Sequence, residues 1–275
     1  MVLELPGPLL LVGAGKMGGA LLDGWLAHGM KPDQIFVQDP APNEQIAELL
    51  KRHRIARLAS EALLLPAPPS VIVLAVKPQI MDTVFPPLIK MMAPATLVLS
   101  IAAGRTIASF ERHLAPGAAV VRAMPNTPAA IGRGISVCTA NAAVGAAQRR
   151  LCEQLLSAVG EVGWVEDEAL MDAVTAVSGS GPAYVFLLAE CLAAAGAASG
   201  LDAALARRLA IATVSGAGEL MHRSGLDPCA LRENVTSPGG TTDAALSILM
   251  GPEGLEPLLT KAVAAAVGRS RELAK

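Results

Sequence analysis

The spacing of apolar residues changes once along this chain. From Leu9 to Val165, short runs rich in Leu, Val and Ile recur at Leu9–Val12, Ile35–Val37, Val71–Val76, Leu97–Ile101, Val120–Ala123, Ile135–Thr139 and Val162–Val165, separated by stretches of helical periodicity. Near-continuous apolar runs are what strands buried on both faces require, so the alternation predicts a doubly wound, mostly parallel sheet with helices on both sides. From Glu166 onward no comparable run occurs. The period becomes helical, with glycine stops at Gly200, Gly225 and Gly251 and restarts at Asp202, Asp227 and Pro252. The reading is an α/β first domain over residues 1–165 and an all-α second domain over 166–275.

Ala183 to Ala198 is apolar except for Glu190. It falls short of the roughly 20 residues of a membrane span, and a central Glu is costly there, so it predicts a buried helix in a soluble core or a subunit interface. The Ala-rich runs Ala193–Ala198 and Ala262–Ala266 permit close helix approach, and so much apolar surface on a small helical domain predicts a homodimer or higher homo-oligomer. A net charge of −2 and only 3% aromatic residues leave no footprint for nucleic acid or an anionic membrane. Cys138, Cys152, Cys191 and Cys229 lie far apart, form no metal-spaced set, and read as small buried apolar groups. With no cationic start before Pro6 and Pro8, the N-terminus does not read as a signal peptide, and a cytoplasmic protein with reduced thiols is expected.

Gly13-Ala14-Gly15-Lys16-Met17-Gly18 directly follows the first strand and opens a helix expected over Gly19–Ala27, the context of a Rossmann-like dinucleotide fingerprint. Gly13 would make the tight turn, Gly15 admit a pyrophosphate to the helix N-terminus, and Gly18 let the helix pack on the sheet. Asp39 ends the second strand, where a carboxylate binds adenosine ribose hydroxyls and repels a 2′-phosphate. Because no Arg follows before Arg52, NADH is expected to serve at least as well as NADPH.

Ala75-Val76-Lys77-Pro78 and Ile101-Ala102-Ala103 end two further strands, where small residues would let a nicotinamide ring approach the backbone. Lys77 either positions substrate or ribose or is a surface lysine. Asn126 and Thr127 are candidate donors in a loop fixed by Pro125 and Pro128, and Ser178–Tyr184 opens the long helix of the second domain. Near the other end, Val235-Thr-Ser-Pro-Gly-Gly-Thr-Thr242 precedes a helical stretch. Its hydroxyls and glycines offer N–H and O–H donors for a small carboxylate or phosphate without a side-chain charge. None of His28, His53, His113 and His222 falls in a motif. Reduction of a ketone needs a proton donor, whereas a protonated imine accepts hydride directly, so the missing acid favours an iminium substrate.

In order, Gly13–Gly18, Ala75-Val-Lys-Pro-Gln79, Ser100-Ile-Ala-Ala-Gly104, Met124-Pro-Asn-Thr-Pro128, Asp172 to Tyr184 and Ser237–Thr242 closely resemble the pyrroline-5-carboxylate reductases over almost the whole chain. The resemblance implies the last step of proline synthesis: hydride transfer from NAD(P)H to the C=N carbon of 1-pyrroline-5-carboxylate, in a dimer or higher assembly with interlocked helical domains; the surplus apolar surface of the Ala-rich helices after Glu166 adds the expectation that a partner's Ser237–Thr242 loop completes the crevice. It further implies that Ser237, Gly239, Gly240, Thr241 and Thr242 hold the substrate carboxylate, with Thr242 near the ring nitrogen, Glu168 lining the same pocket and Asn234 reaching the cofactor. Two departures stand out: Asp39, where the family often has a hydroxyl or basic residue, and Ala212, where many members have Gln. Two other classes share parts of this pattern. A β-hydroxyacid dehydrogenase would need a lysine on the long helix, and Tyr184 to Gly200 has none. A non-catalytic dinucleotide sensor would have no use for the hydroxyl-rich loop.

Overall fold

The computed structural model describes residues 5–58 and 65–273, so the reading of the N-terminus falls partly outside it. The chain forms two compact units, Met1–Gly179 with Val267–Lys275, and Ser180–Ala266.

The first unit is built on eight strands: β1 (Leu9–Val12), β2 (Ile35–Gln38), β3 (Ala56–Arg57), β4 (Val71–Leu74), β5 (Leu97–Ser100), β6 (Ala119–Met124), β7 (Gly134–Ala140) and β8 (Gly160–Trp164). They lie in the order β3-β2-β1-β4-β5-β6-β7-β8. Alternate side chains of each central strand enter opposite cores. Leu9, Leu11, Val73 and Leu99 pack in one with Trp25 of α1 (Lys16–Ala27) and Leu155 of α5 (Ala146–Ser157). Leu10, Val12, Ile72, Leu74 and Val98 pack in the other with Phe85 of α3 (Met81–Leu88) and Phe110 of α4 (Ile107–Glu111).

Two features depart from the pattern reading. β7 runs antiparallel to β6, because residues 125–133 join them through one short 3₁₀ turn with no crossover helix. β3, after α2 (Glu44–His53), has only two residues, too few to show a period.

The end of the chain belongs to this unit as well. The Ser270 hydroxyl donates to Asp172 Oδ1 at 2.6 Å, and Arg271 Nε lies 3.6 Å from Asp172 Oδ2. Residues 166–179 also lie in the first unit, so the compact division falls at 179/180, whereas the change of secondary-structure type falls near 165.

The second unit is helical: α7 (Gly181–Ala198), α8 (Ala203–Ser224), α9 (Pro228–Asn234), α10 (Thr241–Leu249) and most of α11 (Leu255–Leu273). Asp202 and Asp227 cap α8 and α9 through their carboxylates, as their positions predict. α7 and α8 form a close pair in which a Cβ on Gly196 would come within 3.3 Å of Ala206 Cβ. The apolar helix is longer than expected, and of the two expected settings, a soluble core or a subunit interface, the single chain does not supply the core. Its helical run, including α6 (Met171–Val174) and a π turn at Thr175–Gly179, extends over Glu168–Ala198, long and apolar enough by composition to span a membrane. None of its most apolar window is buried within the single chain. The cysteines differ too. Cys138 and Cys152 are buried, and burial pushes the Cys138 thiol up to about 12 and raises Cys152 as well. Cys191 lies on exposed α7, and Cys229 opens α9 beside Glu233, whose carboxylate raises its thiol.

Candidate functional site

At the carboxyl edge of the sheet, β2, β1, β4 and β5 end in register, Gln38 beside Val12 beside Leu74 beside Ser100. β1 is flanked by β2 and β4, so the chain direction switches there, which is where open α/β sheets form their ligand crevice. Gly13 takes a left-handed φ of +88° and a Cβ there would lie 2.9 Å from Ala75 O; a Cβ on Gly18 would lie 2.2 Å from Gly13 O. Only hydrogen fits either place. A Cβ on Gly15 would meet nothing within 4 Å, which leaves open space in front of the α1 N-terminus.

That N-terminus has no side-chain cap and no acidic residue in its first turn. Its orphan N–H groups and the positive end of the helix dipole therefore fit a diphosphate. Gln38 Oε1, next in sequence to Asp39, is buried with no partner among the described residues. This acceptor suits the hydroxyl and amino donors of a nucleoside, so the residues present fit a dinucleotide.

Asp39 is more engaged than its position in sequence suggests. Oδ2 accepts from Ala14 N at 2.8 Å and Oδ1 from Ala41 N at 2.9 Å, so the carboxylate ties the glycine loop to the turn after β2. The expectation that no arginine stands nearby is corrected here. Arg57, on β3, donates Nε to Asp39 O at 2.9 Å and Nη2 to Pro40 O at 2.5 Å. The two-residue strand that sequence reading missed is what delivers it.

Beyond the crevice mouth, Ala75 N donates to Val12 O and Ile101 N to Leu74 O, so both small-residue segments continue the ladder. Lys77 is exposed just before a 3₁₀ turn over Pro78–Ile80. Arg105 pairs with Asp82 through both its terminal nitrogens, one at 3.0 Å, joining the segment after β5 to the start of α3. Asn126 is structural in this arrangement: Oδ1 accepts from Ile135 N at 2.9 Å and Nδ2 donates to Ser178 Oγ at 3.3 Å. Glu168 Oε1 accepts from Arg122 Nη1 and from Ile107 N, each at 2.9 Å, and Arg122 is almost wholly buried. Its carboxylate therefore neutralises a buried guanidinium and caps α4.

The hydroxyl-rich loop lies in the second unit. Gly240 N donates to Ser237 O at 2.9 Å, closing a turn that delivers Thr241 and Thr242 as the first residues of α10. Gly240 supplies no side-chain cap, so the leading amides of α10 lack acceptors among the described residues. The expectation of a motif without charge needs amendment. Asp243, in the first turn, accepts from Gly239 N at 2.9 Å, removing one donor and placing a carboxylate beside the rest. Thr242 is half-buried, Ser237 and Thr241 are exposed, and Asn234 ends α9.

Residues 168–273 match the family model described as pyrroline-5-carboxylate reductase dimerisation, and residues 9–104 match one described as NADP oxidoreductase, coenzyme F420-dependent. The chain is 45% identical to the pyrroline-5-carboxylate reductase of Pseudomonas aeruginosa, over 97% of each protein. It is 38% identical to that of Corynebacterium melassecola, over 97% of this chain and 98% of the relative. Among solved structures, a pyrroline-5-carboxylate reductase from Coxiella burnetii superposes with a TM-score of 0.90 at 34% identity, covering 98% of this chain and all of the other. The Plasmodium falciparum pyrroline carboxylate reductase, solved with NADP bound, superposes with a TM-score of 0.80 at 29% identity, covering 98% and 99%.

Proposed function

This chain belongs to the pyrroline-5-carboxylate reductase family, and from that premise we infer that it reduces 1-pyrroline-5-carboxylate to L-proline, the final step of proline biosynthesis. The relation that carries the inference is full-length: it includes both the uncapped α1 N-terminus and the uncapped α10 N-terminus. NAD(P)H, when bound, supplies the hydride that adds to the C=N carbon, while the π pair moves to a nitrogen that already holds its proton.

We assign the diphosphate to the loop Gly13, Ala14, Gly15, Lys16, Met17 and Gly18, with the amides from Gly15 onward as donors, while Gly13 and Ala14, whose N–H groups are held by Gln38 O and Asp39 Oδ2, shape the loop. Asp39 stands at the ribose, and Ala75, Val76, Lys77, Pro78, Ile101, Ala102 and Ala103 at the nicotinamide end, with Asn234 as a further cofactor contact. Ser237, Thr241 and Thr242 donate to the substrate carboxylate, Thr242 orients the ring nitrogen, and Gly240, whose own N–H is held by Ser237 O, closes the turn that presents them. Gly239 shapes the turn, because its own N–H is held by Asp243. Lys77 adds positive charge where an anionic substrate would approach. Glu168 acts at one remove, by fixing Arg122 and α4.

The protein assembles as a homo-oligomer through its dimerisation domain. We take the unit of assembly to be a dimer and its place to be the cytoplasm. The test is oxidation of NADPH and of NADH with racemic pyrroline-5-carboxylate. Turnover with either supports the reading, and folded protein that turns over neither overturns it.

A further inference from the structure

The loop after β5 carries Ile101, Ala102 and Ala103, assigned above to the nicotinamide end, and its middle is not held by its own backbone. Ala103, Gly104 and Arg105 donate no backbone N–H bond among the described residues. Ile101 N, bonded to Leu74 O, fixes the near end, and Ile107 N, bonded to Glu168 Oε1, fixes the far end. Arg105 reaches away to Asp82 through its terminal nitrogens, and its buried Nε has no partner among the described residues. Between those ends the loop turns at Gly104, whose φ is +72°. The end of the chain stands against that turn: a Cβ on Gly104 would lie 3.3 Å from Leu273 O and 3.7 Å from Leu273 Cβ.

The last turn of α11 is itself anchored. Ser270 is 7% exposed and is the one buried residue of this helix. A buried hydroxyl needs a partner, and its Oγ donates to Asp172 Oδ1 at 2.6 Å, while Arg271 Nε lies 3.6 Å from Oδ2. Asp172 follows Glu168 by one helical turn. The two carboxylates therefore grip the same loop at two places. Glu168 takes Ile107 N at its exit, and Asp172 takes Ser270, which seats Leu273 against Gly104 at its middle. Val267–Lys275 belongs to the first unit, so these contacts all lie in the unit that carries the glycine loop.

We propose that the last turn of α11 is a back-brace of the nicotinamide site, with Ser270 and Asp172 as positioning residues: their bond sets Leu273 against Gly104 and so fixes how far Ile101–Ala103 stands from the nicotinamide ring. The proposal rests on the reading of the chain as a nicotinamide-dependent reductase. In this role neither residue touches cofactor or substrate. They act on the alignment of hydride donor and acceptor, which is steep in distance, a misplacement of about 1 Å costing on the order of a hundredfold in rate.

Ser270→Ala removes the bond and adds no bulk. Its kcat should fall about tenfold, inside the range that lost alignment allows, while KM for pyrroline-5-carboxylate and the mass by light scattering keep their wild-type values. Binding separates a brace from a general weakening. Titrated with NADH and NADPH, Ser270→Ala should bind both more weakly and lose the fluorescence change of the bound nicotinamide. ADP-ribose and 2′-phospho-ADP-ribose, the same molecules without nicotinamide, should bind as they do to the wild type. Ser270→Thr, which keeps the hydroxyl, and Asp172→Asn, which keeps an acceptor at Oδ1, should retain most of the wild-type behaviour. Gly104→Ala, strained at a φ of +72° and pressed on Leu273 O, should reproduce Ser270→Ala. The two together should lose less than the sum of each, because both act through one contact.

Wild-type kcat and nicotinamide fluorescence in both Ser270→Ala and Gly104→Ala would overturn the proposal. An equal loss of the dinucleotides and of their nicotinamide-free fragments, or a loss that appears only with a change of mass, would overturn it too, and would make the contact a support of the fold only. Failure of turnover with pyrroline-5-carboxylate while the Ser270-dependent fluorescence persists would instead refute the proposed reaction.

Discussion

Every residue of β1 is buried, whereas α7, a largely apolar segment more than four times as long, has no buried residue in the single chain. The two units handle the same side chains in opposite ways. In the first, each central strand places alternate residues into one of two cores, and Trp25, Phe85 and Phe110 are wholly hidden. In the second, Phe186 is 62% exposed and Ile248 76%, while Ala206 and Ala210 are the buried apolar side chains. Contiguous exposed apolar surface on this scale marks an interface. The first unit is thus a fold that completes itself, and the second is half of one, finished by another copy through the dimerisation domain.

Breaking the second half should have the largest effect. In a two-fold interface one substitution appears twice, so Phe186→Asp puts two unpaired carboxylates into apolar surface. The expected result is a monomer at micromolar concentration by light scattering, with activity lost. An unchanged mass would mean that α7 is covered by something other than a second copy.

Next comes the self-sufficient half. Trp25 is fully buried and its indole N–H donates to Leu155 O at 2.8 Å. Trp25→Ala should cost about 3–5 kcal/mol in denaturant unfolding, and a loss under about 1 kcal/mol, below the range for aromatic truncations, would show the first core to be less tightly packed than its burial indicates.

Thr242→Ala acts on the loop. Removing one hydrogen bond to a charged partner predicts a fall of roughly tenfold to a hundredfold in kcat/KM, with the pH profile unchanged in shape. A missing limb in that profile would reveal a proton relay through Thr242.

The smallest effect is local to the first unit. The Arg105 guanidinium holds the Asp82 carboxyl below its ordinary value. A depressed carboxyl stabilises the fold above its unfolded pKa and loses that contribution as pH falls through the folded one. Arg105→Met should therefore move the Asp82 titration upward by NMR, and no movement would mean the pair does not persist in solution.

The strands and the glycine loop were legible because each is written in consecutive residues. Leu9–Val12 is an unbroken apolar run and Gly13–Gly18 follows it without a gap. What escaped depends on chain reversal. β3 has no period to detect, and Arg57 reaches Asp39 only because β3 lies beside β2. Asp243 was visible, yet its effect on Gly239 depends on how the turn folds back. Glu168 could be placed near the second domain by number, but its carboxylate faces β6 through Arg122. The exposure of Cys191 follows from a surface that only a partner covers.

The bond from Ser270 to Asp172 sets an order in time. The first unit takes its last strut from the end of the chain, after the intervening helical unit has been made. At roughly 5–20 residues per second of synthesis, the segment from Ser180 to Ala266 takes on the order of 4–17 seconds to emerge. During that interval the sheet can fold around its two cores, but Asp172 waits without Ser270. A newborn chain therefore holds the uncapped α1 N-terminus before it holds α11, and a nucleotide bound there early would steady the nascent sheet until the last turn of α11 can close on it.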